Sequence, residues 1–441
     1  MVDWVRHAIA WHVYPLGFVG AEAENDRAAP VAHRLPRLEN YLDYAVELGA
    51  SALALGPIFQ SATHGYDTLD YFAVDRRLGD DGDFDHLVHE AHARGLKIIL
   101  DGVFNHVGRD HPFFRDVIEH SPKSDKAAWF RLTWPQDWRP GSEPQYESFE
   151  GHDQLVALNH DEPAVAEYVA SVMDHWLTRG ADGWRLDAAY AVSPAFWAKI
   201  LPGLRQKHPN AFIFGEVIHG DYPAIVRESG LDSLTQYELW KALWSALNDR
   251  NFFELAWALE RNDALLDDFV PVAFLGNHDV TRIASKLTDE RHLPHAVVLL
   301  FTLPGTPFVY YGDEQAFRGV KEDRIGGDDA IRPAFPESSA ELSELGAPIF
   351  RLHQELIGLR RRHAWLHGAR VTVHHLENSA LVYESAAEGE KILVALNLQD
   401  APARLPVPAA RERLAGEATL EGDGAERVAV VPGHGFAVFC C

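Results

Sequence analysis

From the start of the chain to about residue 315, short runs of apolar, β-favouring residues alternate with stretches of helical period. The apolar runs at 8–14, 52–57, 97–103, 183–187, 211–217, 233–237, 270–276 and 307–311 read as strands. The stretches 35–48, 84–94, 164–179 and 194–208 carry apolar residues at helical spacing and read as amphipathic helices. Strands separated by helices predict parallel pairing through right-handed crossovers. Eight such strands predict an α/β chain folded as a (β/α)8 TIM barrel. An open doubly wound sheet is the competing arrangement, but no Gly-rich phosphate loop follows the first run.

The regular alternation is broken twice. About fifty residues rich in Trp, Pro, Asp and His separate the third strand from the helix near Pro163, which predicts an inserted subdomain at the C-terminal end of a barrel strand. After a last helix at 347–362, short alternating runs (RVTVHHL, ALVYES, KILVALNL, RVAVV, GFAVFCC) between Gly, Pro and Asn turns predict an antiparallel β-sandwich. The expected division is barrel 1–106, inserted subdomain 107–155, barrel 156–362 and C-terminal β-sandwich 363–441.

Composition narrows the partners. The hydrophobic share of 47% supports a packed core, and the formal net charge of −25 repels nucleic acid and anionic membrane surfaces. A neutral ligand is indifferent to that field. The two cysteines, Cys440 and Cys441, are adjacent and staple nothing, and the N-terminal residues show no basic-then-apolar signal pattern, so the cytoplasm is expected. The longest apolar stretch, 296–311, is interrupted by Pro304, Gly305 and Pro307, which argues against a membrane span. Nothing legible sets an oligomeric state.

The candidate chemistry lies where the runs end. The third closes on Asp101, followed by Asn105 and His106. The fourth closes on Asp187 with Arg185 two residues earlier, on the same side of a strand. The fifth closes on Glu216, and the seventh runs into Asn277, His278 and Asp279. In a barrel these ends meet at one mouth. Paired carboxylates with an arginine and imidazole donors suit cleavage of an acetal, where one carboxyl attacks and another protonates the leaving oxygen. The arginine is expected to keep the attacking carboxylate ionised, while apolar walls raise the acid. Taken singly, each acid is equally an ordinary loop residue, Arg185–Asp187 a structural ion pair, and the histidines packing groups. A metal cluster is the other use of such residues, but no H-x-H or H-E-x-x-H pair occurs at these ends.

Four segments in order, DGVFNH (101–106), GWRLD (183–187), GEV (215–217) and FLGNHD (274–279), resemble the signature segments of the α-amylase family of glycoside hydrolases. GYDT (65–68), Leu158–Asn159 and PGTPFVYYGDE (304–314) match further family segments, and the likeness covers about residues 8–362. The resemblance implies a retaining hydrolase of α-1,4-linked maltooligosaccharides or related short α-glucosides. In it Asp187 is the nucleophile, Glu216 the acid/base and Asp279 the stabiliser of the transition state. Arg185 orients Asp187, and Asp101 supports the site. His106 and His278 bind the sugar at the cleaved bond, and Tyr66 stacks on it, with His64 and Asp67 in the same loop. Asp328 and Arg332 in GDDAIRP (327–333) resemble a pair that holds the next sugar. The wording is nearest to the neopullulanase and cyclomaltodextrinase branch. The same machinery in a glucanotransferase or isomerase is the alternative, and a non-catalytic sugar-binding homologue is disfavoured because every carboxylate is present.

The family's calcium-binding amylases carry Lys-His where this chain has Tyr190 and Ala191, so no cofactor and no structural calcium are expected, although Asn105 matches one calcium ligand. Ala188, after the nucleophile position, gives no support for strict α-1,6 specificity. Tyr66, His64 and the segment 134–138 with Trp134 and Trp138 are expected to crowd the mouth and favour short substrates. The plainer use of the two tryptophans is as the loop's own core.

Overall fold

In the computed structural model, which describes residues 2–139, 142–324 and 326–441, the eight expected strands form one parallel sheet. They are β1 Ala10–Val13, β2 Ala52–Leu55, β3 Lys97–Gly102, β4 Gly183–Leu186, β5 Phe212–Gly215, β6 Ser233–Leu234, β7 Val272–Phe274 and β8 Thr306–Tyr310. The order is β6-β5-β4-β3-β2-β1-β8-β7, and a parallel bridge between Thr235 and Val272 joins the two ends, so the sheet closes into the barrel. Alternation along the strands fills both faces. Ala10, Ala52, Ala54, Ile99, Phe212, Phe214, Val272, Phe274 and Phe308 pack inside the barrel. Trp11, Leu53, Ile98, Leu100, Trp184, Ile213 and Val309 point out into the main core.

Two sequence readings change. The expected helix 35–48 is two helices, Leu35–Glu39 and Leu42–Leu48. Asn40 donates its side-chain amide to the Glu337 carbonyl at 3.2 Å and the Tyr41 hydroxyl reaches the Pro336 carbonyl at 3.0 Å, which turns the chain between them. The sixth strand stops at Leu234, and Tyr237 instead opens the helix Tyr237–Asp249.

The segment between β3 and the helix Pro163–Thr178 holds a helix, Pro112–His120, and two small antiparallel pairs, His106–Gly108 with Leu155–Ala157 and Leu132–Thr133 with Gln145–Tyr146. Pro140 and Gly141 of this segment lie outside the described residues. Beyond the helix Ala347–Arg362, a five-stranded and a three-stranded antiparallel sheet face each other. Val382, Leu393, Ala395 and Phe439 meet Leu405, Val407, Ala429 and Val431 between them. The other face of the larger sheet, with Leu381, Tyr383, Ile392 and Val394, joins the barrel's core. Tyr383 hydroxyl meets Thr302 Oγ1 at 2.5 Å, and Ser385 donates to the Thr302 carbonyl at 2.8 Å, which seats the β module on the helix Leu293–Thr302. Among the described residues no helix is long and apolar enough to cross a membrane.

Candidate functional site

The parallel register decides what meets at the barrel mouth. Arg185 on β4 sits opposite Asp101 on β3 and Phe214 on β5. The ladder continues past the strand ends: Asp187 N–H donates to the Gly102 carbonyl at 3.0 Å and Glu216 N–H to the Leu186 carbonyl at 2.8 Å. Asp187 and Glu216 therefore leave adjacent strands at nearly the same height.

One guanidinium joins three carboxylates. Arg185 Nη1 donates to both Asp101 oxygens at 2.6 and 2.7 Å and to Asp187 Oδ1 at 3.1 Å, while Nη2 lies 2.7 Å from Glu216 Oε1. All four side chains are buried, Asp101 to 1% exposure and Asp187 to 7%. Glu216 also accepts from the Tyr237 hydroxyl at 2.9 Å and from the Ala188 N–H at 3.1 Å. Ala188 pays for that aim with a left-handed backbone, φ 45°.

Burial pushes the Asp187 carboxyl well above its usual value, Arg185 opposes this, and Glu216, Asp101 and Asp279 add to it. Arg185 acts in the expected direction, favouring the ionised Asp187, and it does so against burial and three neighbouring acids. The guanidinium is shared, and its shortest bonds go to Asp101 rather than Asp187. Asp101 is raised by burial in the same way, against Arg185 and His278.

A second bridge closes one side of the mouth. His278 Nε2 lies 2.8 Å from Asp279 Oδ2 and 2.5 Å from the Tyr66 hydroxyl, which donates to Asp101 Oδ2 at 3.0 Å. The Tyr66 and His278 rings stack at 5.0 Å. Arg332 joins Asp279 Oδ1 at 3.2 Å and Asp328 Oδ2 at 2.9 Å, donates to the His278 carbonyl at 2.9 Å, and lies over the Tyr14 ring at 4.8 Å. Burial would raise Asp279, but His278 and Arg332 hold its carboxyl well below the usual range. Gly276 is required here, because a Cβ would fall 2.4 Å from Asp313 Oδ2.

Three expected residues stand differently. His106 Nε2–H is given to the Tyr66 carbonyl at 3.0 Å, its ring stacks on Phe149 at 4.7 Å, and burial lowers its pKa to about 4, so it braces the Tyr66 loop. Asp67 accepts from the Thr63 N–H at 3.0 Å and the Thr63 hydroxyl at 2.6 Å, which turns its carboxylate into its own loop. His64 is exposed, and its ring accepts from the Tyr66 N–H at 3.2 Å. Trp134 and Trp138, both half-buried, meet edge to face at 6.2 Å within the insertion, and Phe149 of the insertion stacks on His106 of the cluster.

Tyr237 and Tyr14 complete the site without a sequence signal of their own, together with Asn277 of the FLGNHD segment. Asn277 Nδ2 donates to the Tyr237 hydroxyl at 2.7 Å and Asn277 Oδ1 accepts from the Asp279 N–H at 2.9 Å, so the FLGNHD segment supplied a hint only for Asn277. Beneath them is a cavity of about 30 Å³ lined by His12, Arg185, Glu216 and Tyr237, room for one water.

Residues 34–342 match the model of the alpha amylase catalytic domain. The chain belongs to the α-amylase family of glycoside hydrolases. It is an enzyme of the class that cleaves α-glucosidic bonds with retention. It is 30% identical over 419 residues to a cyclomaltodextrinase of a Bacillus species, covering 89% of this chain and 73% of that one. It is 31% identical over 405 residues to neopullulanase 2 of Thermoactinomyces vulgaris, covering 86% of this chain and 67% of that one. The solved debranching enzyme of Nostoc punctiforme superposes with a TM-score of 0.85 at 26% identity, over 100% of this chain and 99% of the other.

Calcium, raised by Asn105, finds a poor donor set in this enzyme. The Asn105 side-chain Nδ2 faces His106 Nδ1 at 3.1 Å, the Asn105 backbone carbonyl accepts from the Leu158 N–H, and Glu150 of the insertion is bonded by the Tyr190 hydroxyl at 2.8 Å. Among the described residues two other groups gather His and Asp donors, Asp289–His292–His434 and His33–Asp80–Asp83. Asp289 is clamped by Arg291 and Arg250, and Asp80 with Asp83 forms the capping box of the helix Asp81–Ala93.

Proposed function

We propose that the enzyme hydrolyses α-1,4-linked maltooligosaccharides and related short α-glucosides, with Asp187 attacking the anomeric carbon and Glu216 as general acid/base. The observation that carries the reading is the single Arg185 fork reaching both Asp187 and Glu216. A retaining pair needs carboxyls roughly 5–5.5 Å apart, and a shared guanidinium holds two carboxylates close on adjacent arms. Glu216 protonates the leaving oxygen, and Asp187 forms the glycosyl ester that water then hydrolyses after Glu216 has taken its proton. Ala188 N–H, Tyr237 and Arg185 orient Glu216. Asp279 and His278 hold ring hydroxyls, Tyr66 offers its face to the sugar, and Asp101 and His106 position Arg185 and Tyr66.

A preference for short substrates belongs to the reading, with Arg332 bridging Asp279 and Asp328 at the mouth. Names of the relatives, cyclomaltodextrinase and neopullulanase 2, point to the same substrate class. No metal is part of this chemistry. Cytoplasmic residence belongs to the reading, because Cys440 and Cys441 are free and the fold draws nothing from an oxidising compartment.

Proton NMR of maltotriose hydrolysis tests it. The α-anomer of the product is expected first and the β-anomer only by mutarotation. Initial appearance of the β-anomer means inversion, and no cleavage of maltotriose, cyclodextrin or pullulan in parallel assays removes the assignment.

A further inference from the structure

Outside the mouth, a groove of about 790 Å³ runs between the helices Tyr237–Asp249 and Phe252–Leu265 and the start of the helix Tyr222–Ser229. Its volume lies in the range of ligand-binding clefts. Its inner wall is Tyr237, the phenol bonded to Glu216, with Ile218 and His219 two and three residues beyond the acid/base. Its outer wall is one face of the second helix, where Glu254, Trp257, Arg261 and Leu265 recur at helical spacing. The opposite face of that helix, with Leu255, Leu259 and Asn262, is buried.

Trp257 is 62% exposed, the most open tryptophan among the large apolar side chains on the surface. It is held all the same. The Arg261 guanidinium lies 3.5 Å from its ring centroid and is itself paired with Glu238, while Lys241 is paired with Glu254. One ring face is thus covered and fixed while the indole stays open to the groove, flanked by paired donors and acceptors.

We propose that this groove carries the leaving-group side of a longer α-glucan chain, with Trp257 as its outer stacking platform. The inference rests on Glu216 as the acid. A group that protonates the leaving oxygen lies against the sugar that departs, so the chain beyond the cleaved bond leaves the mouth past Glu216 and Tyr237 into the groove. A neutral polyol suits the rest of the lining. The net charge of −25 and three acids, Asp221, Glu238 and Glu254, against two bases disfavour an anion. An aromatic face with hydrogen-bonding groups around it matches a pyranose ring, which has apolar C–H faces and an equatorial rim of hydroxyls.

The test is titration calorimetry on the Asp187→Asn protein with maltoheptaose and with maltotriose, comparing a second change, Trp257→Ala, with Trp257→Phe. Trp257→Ala is expected to weaken maltoheptaose by roughly tenfold, the scale of one lost stacking contact, and to weaken it far more than maltotriose. Trp257→Phe is expected to recover part of that loss, which a merely unfolded helix would not show. Equal maltoheptaose affinity with and without Trp257 overturns the groove while leaving the catalytic assignment standing. Equal affinity together with a dimer that Trp257→Ala dissociates assigns the face to a second copy of the chain and overturns it too. Failure of Asp187→Asn to bind either sugar removes the active-site reading, and the groove falls with it.

Discussion

Two buried arginines near the barrel mouth are wired in opposite ways. Arg282, at 0% exposure, pairs with a single carboxylate, Asp313 at 2.9 Å, and gives its remaining bonds to the Tyr311 and Ile331 carbonyls. Tyr310 and Tyr311 flank its guanidinium at 4.6 and 5.3 Å. One positive charge meets one negative charge, and the neutral unit packs loops together. Arg185 faces Asp101, Asp187 and Glu216 with one positive charge among three acids. A folding unit has no use for that surplus, which adds to burial in raising Asp101 and Asp187 and costs stability. A reaction that consumes a carboxylate as nucleophile and another as proton carrier does. Burial and ion pairing are common to both arginines, and only the balance of charge separates them.

The largest expected effect breaks the Arg185 side. Asp187→Asn is expected to lower kcat by roughly three orders of magnitude or more, because covalent catalysis is lost. The same change removes a surplus charge, so its melting temperature is expected to equal or exceed that of the wild type at pH 7. Asp187 is raised in the fold, and a raised carboxyl loses its favourable protonation as pH rises, so the neutral amide loses nothing there. Turnover within tenfold of wild type, or a clear drop in melting temperature, overturns the contrast.

The next effect is on the Arg282 side and should appear in stability. Arg282→Met leaves Asp313 buried without its partner, at a cost of about 3–5 kcal/mol. Chemical denaturation measures it. A cost under about 1 kcal/mol, the surface-pair value, would show that the neutral unit is not structural.

How much of this was legible follows from what each signal depends on. Strand periods are local, so all eight barrel strands could be read, and the acids at their ends came with them. The bridge between Thr235 and Val272 depends on closure and has no local mark. Asn40 and Tyr41 break a helical pattern through contacts almost three hundred residues away, at Glu337 and Pro336. Tyr237 looked like the end of a strand, yet it starts a helix that aims its phenol at Glu216. The tryptophans of the insertion were legible as aromatic, but their direction was not, because Phe149 and not Trp134 reaches His106. The sharing of Arg185 could not be read either: the sequence places Arg185 next to Asp187, and only the register brings Asp101 closer.

Glu314, two residues beyond Gly312, sharpens the comparison through pH. It is fully buried with the Tyr44 hydroxyl at 2.8 Å and the Gly312 N–H at 2.9 Å, and burial raises its carboxyl to about 7. Its folded value lies above the unfolded one. The stability it contributes is therefore complete below about pH 4.5, falls as pH rises, and is gone above about 7. Glu314→Gln is expected to gain on the wild type across that window by roughly 3–3.5 kcal/mol and to run parallel to it above. Denaturation midpoints at pH 4.5, 6 and 8 read the difference. A constant offset across the three would show that Glu314 titrates as in the unfolded chain.

The smallest expected effect is that of a chelator, and it asks whether the surplus of carboxylates at Arg185 is tied to a cation. A hard cation wants six to eight oxygens at about 2.3–2.6 Å. The acids at the mouth already spend theirs on Arg185, Tyr66, Tyr237, His278 and Arg332. At the inserted segment Asn105 is turned to His106, and Tyr190 with Ala191 stands in place of the Lys-His pair. The surplus is thus answered by protons and hydrogen-bond donors. EDTA followed by desalting is expected to leave both the rate on maltotriose and the melting temperature unchanged. Loss of rate that calcium restores and zinc does not would place a hard cation beside the insertion. Part of the charge balance argued for Arg185 would then belong to that ion.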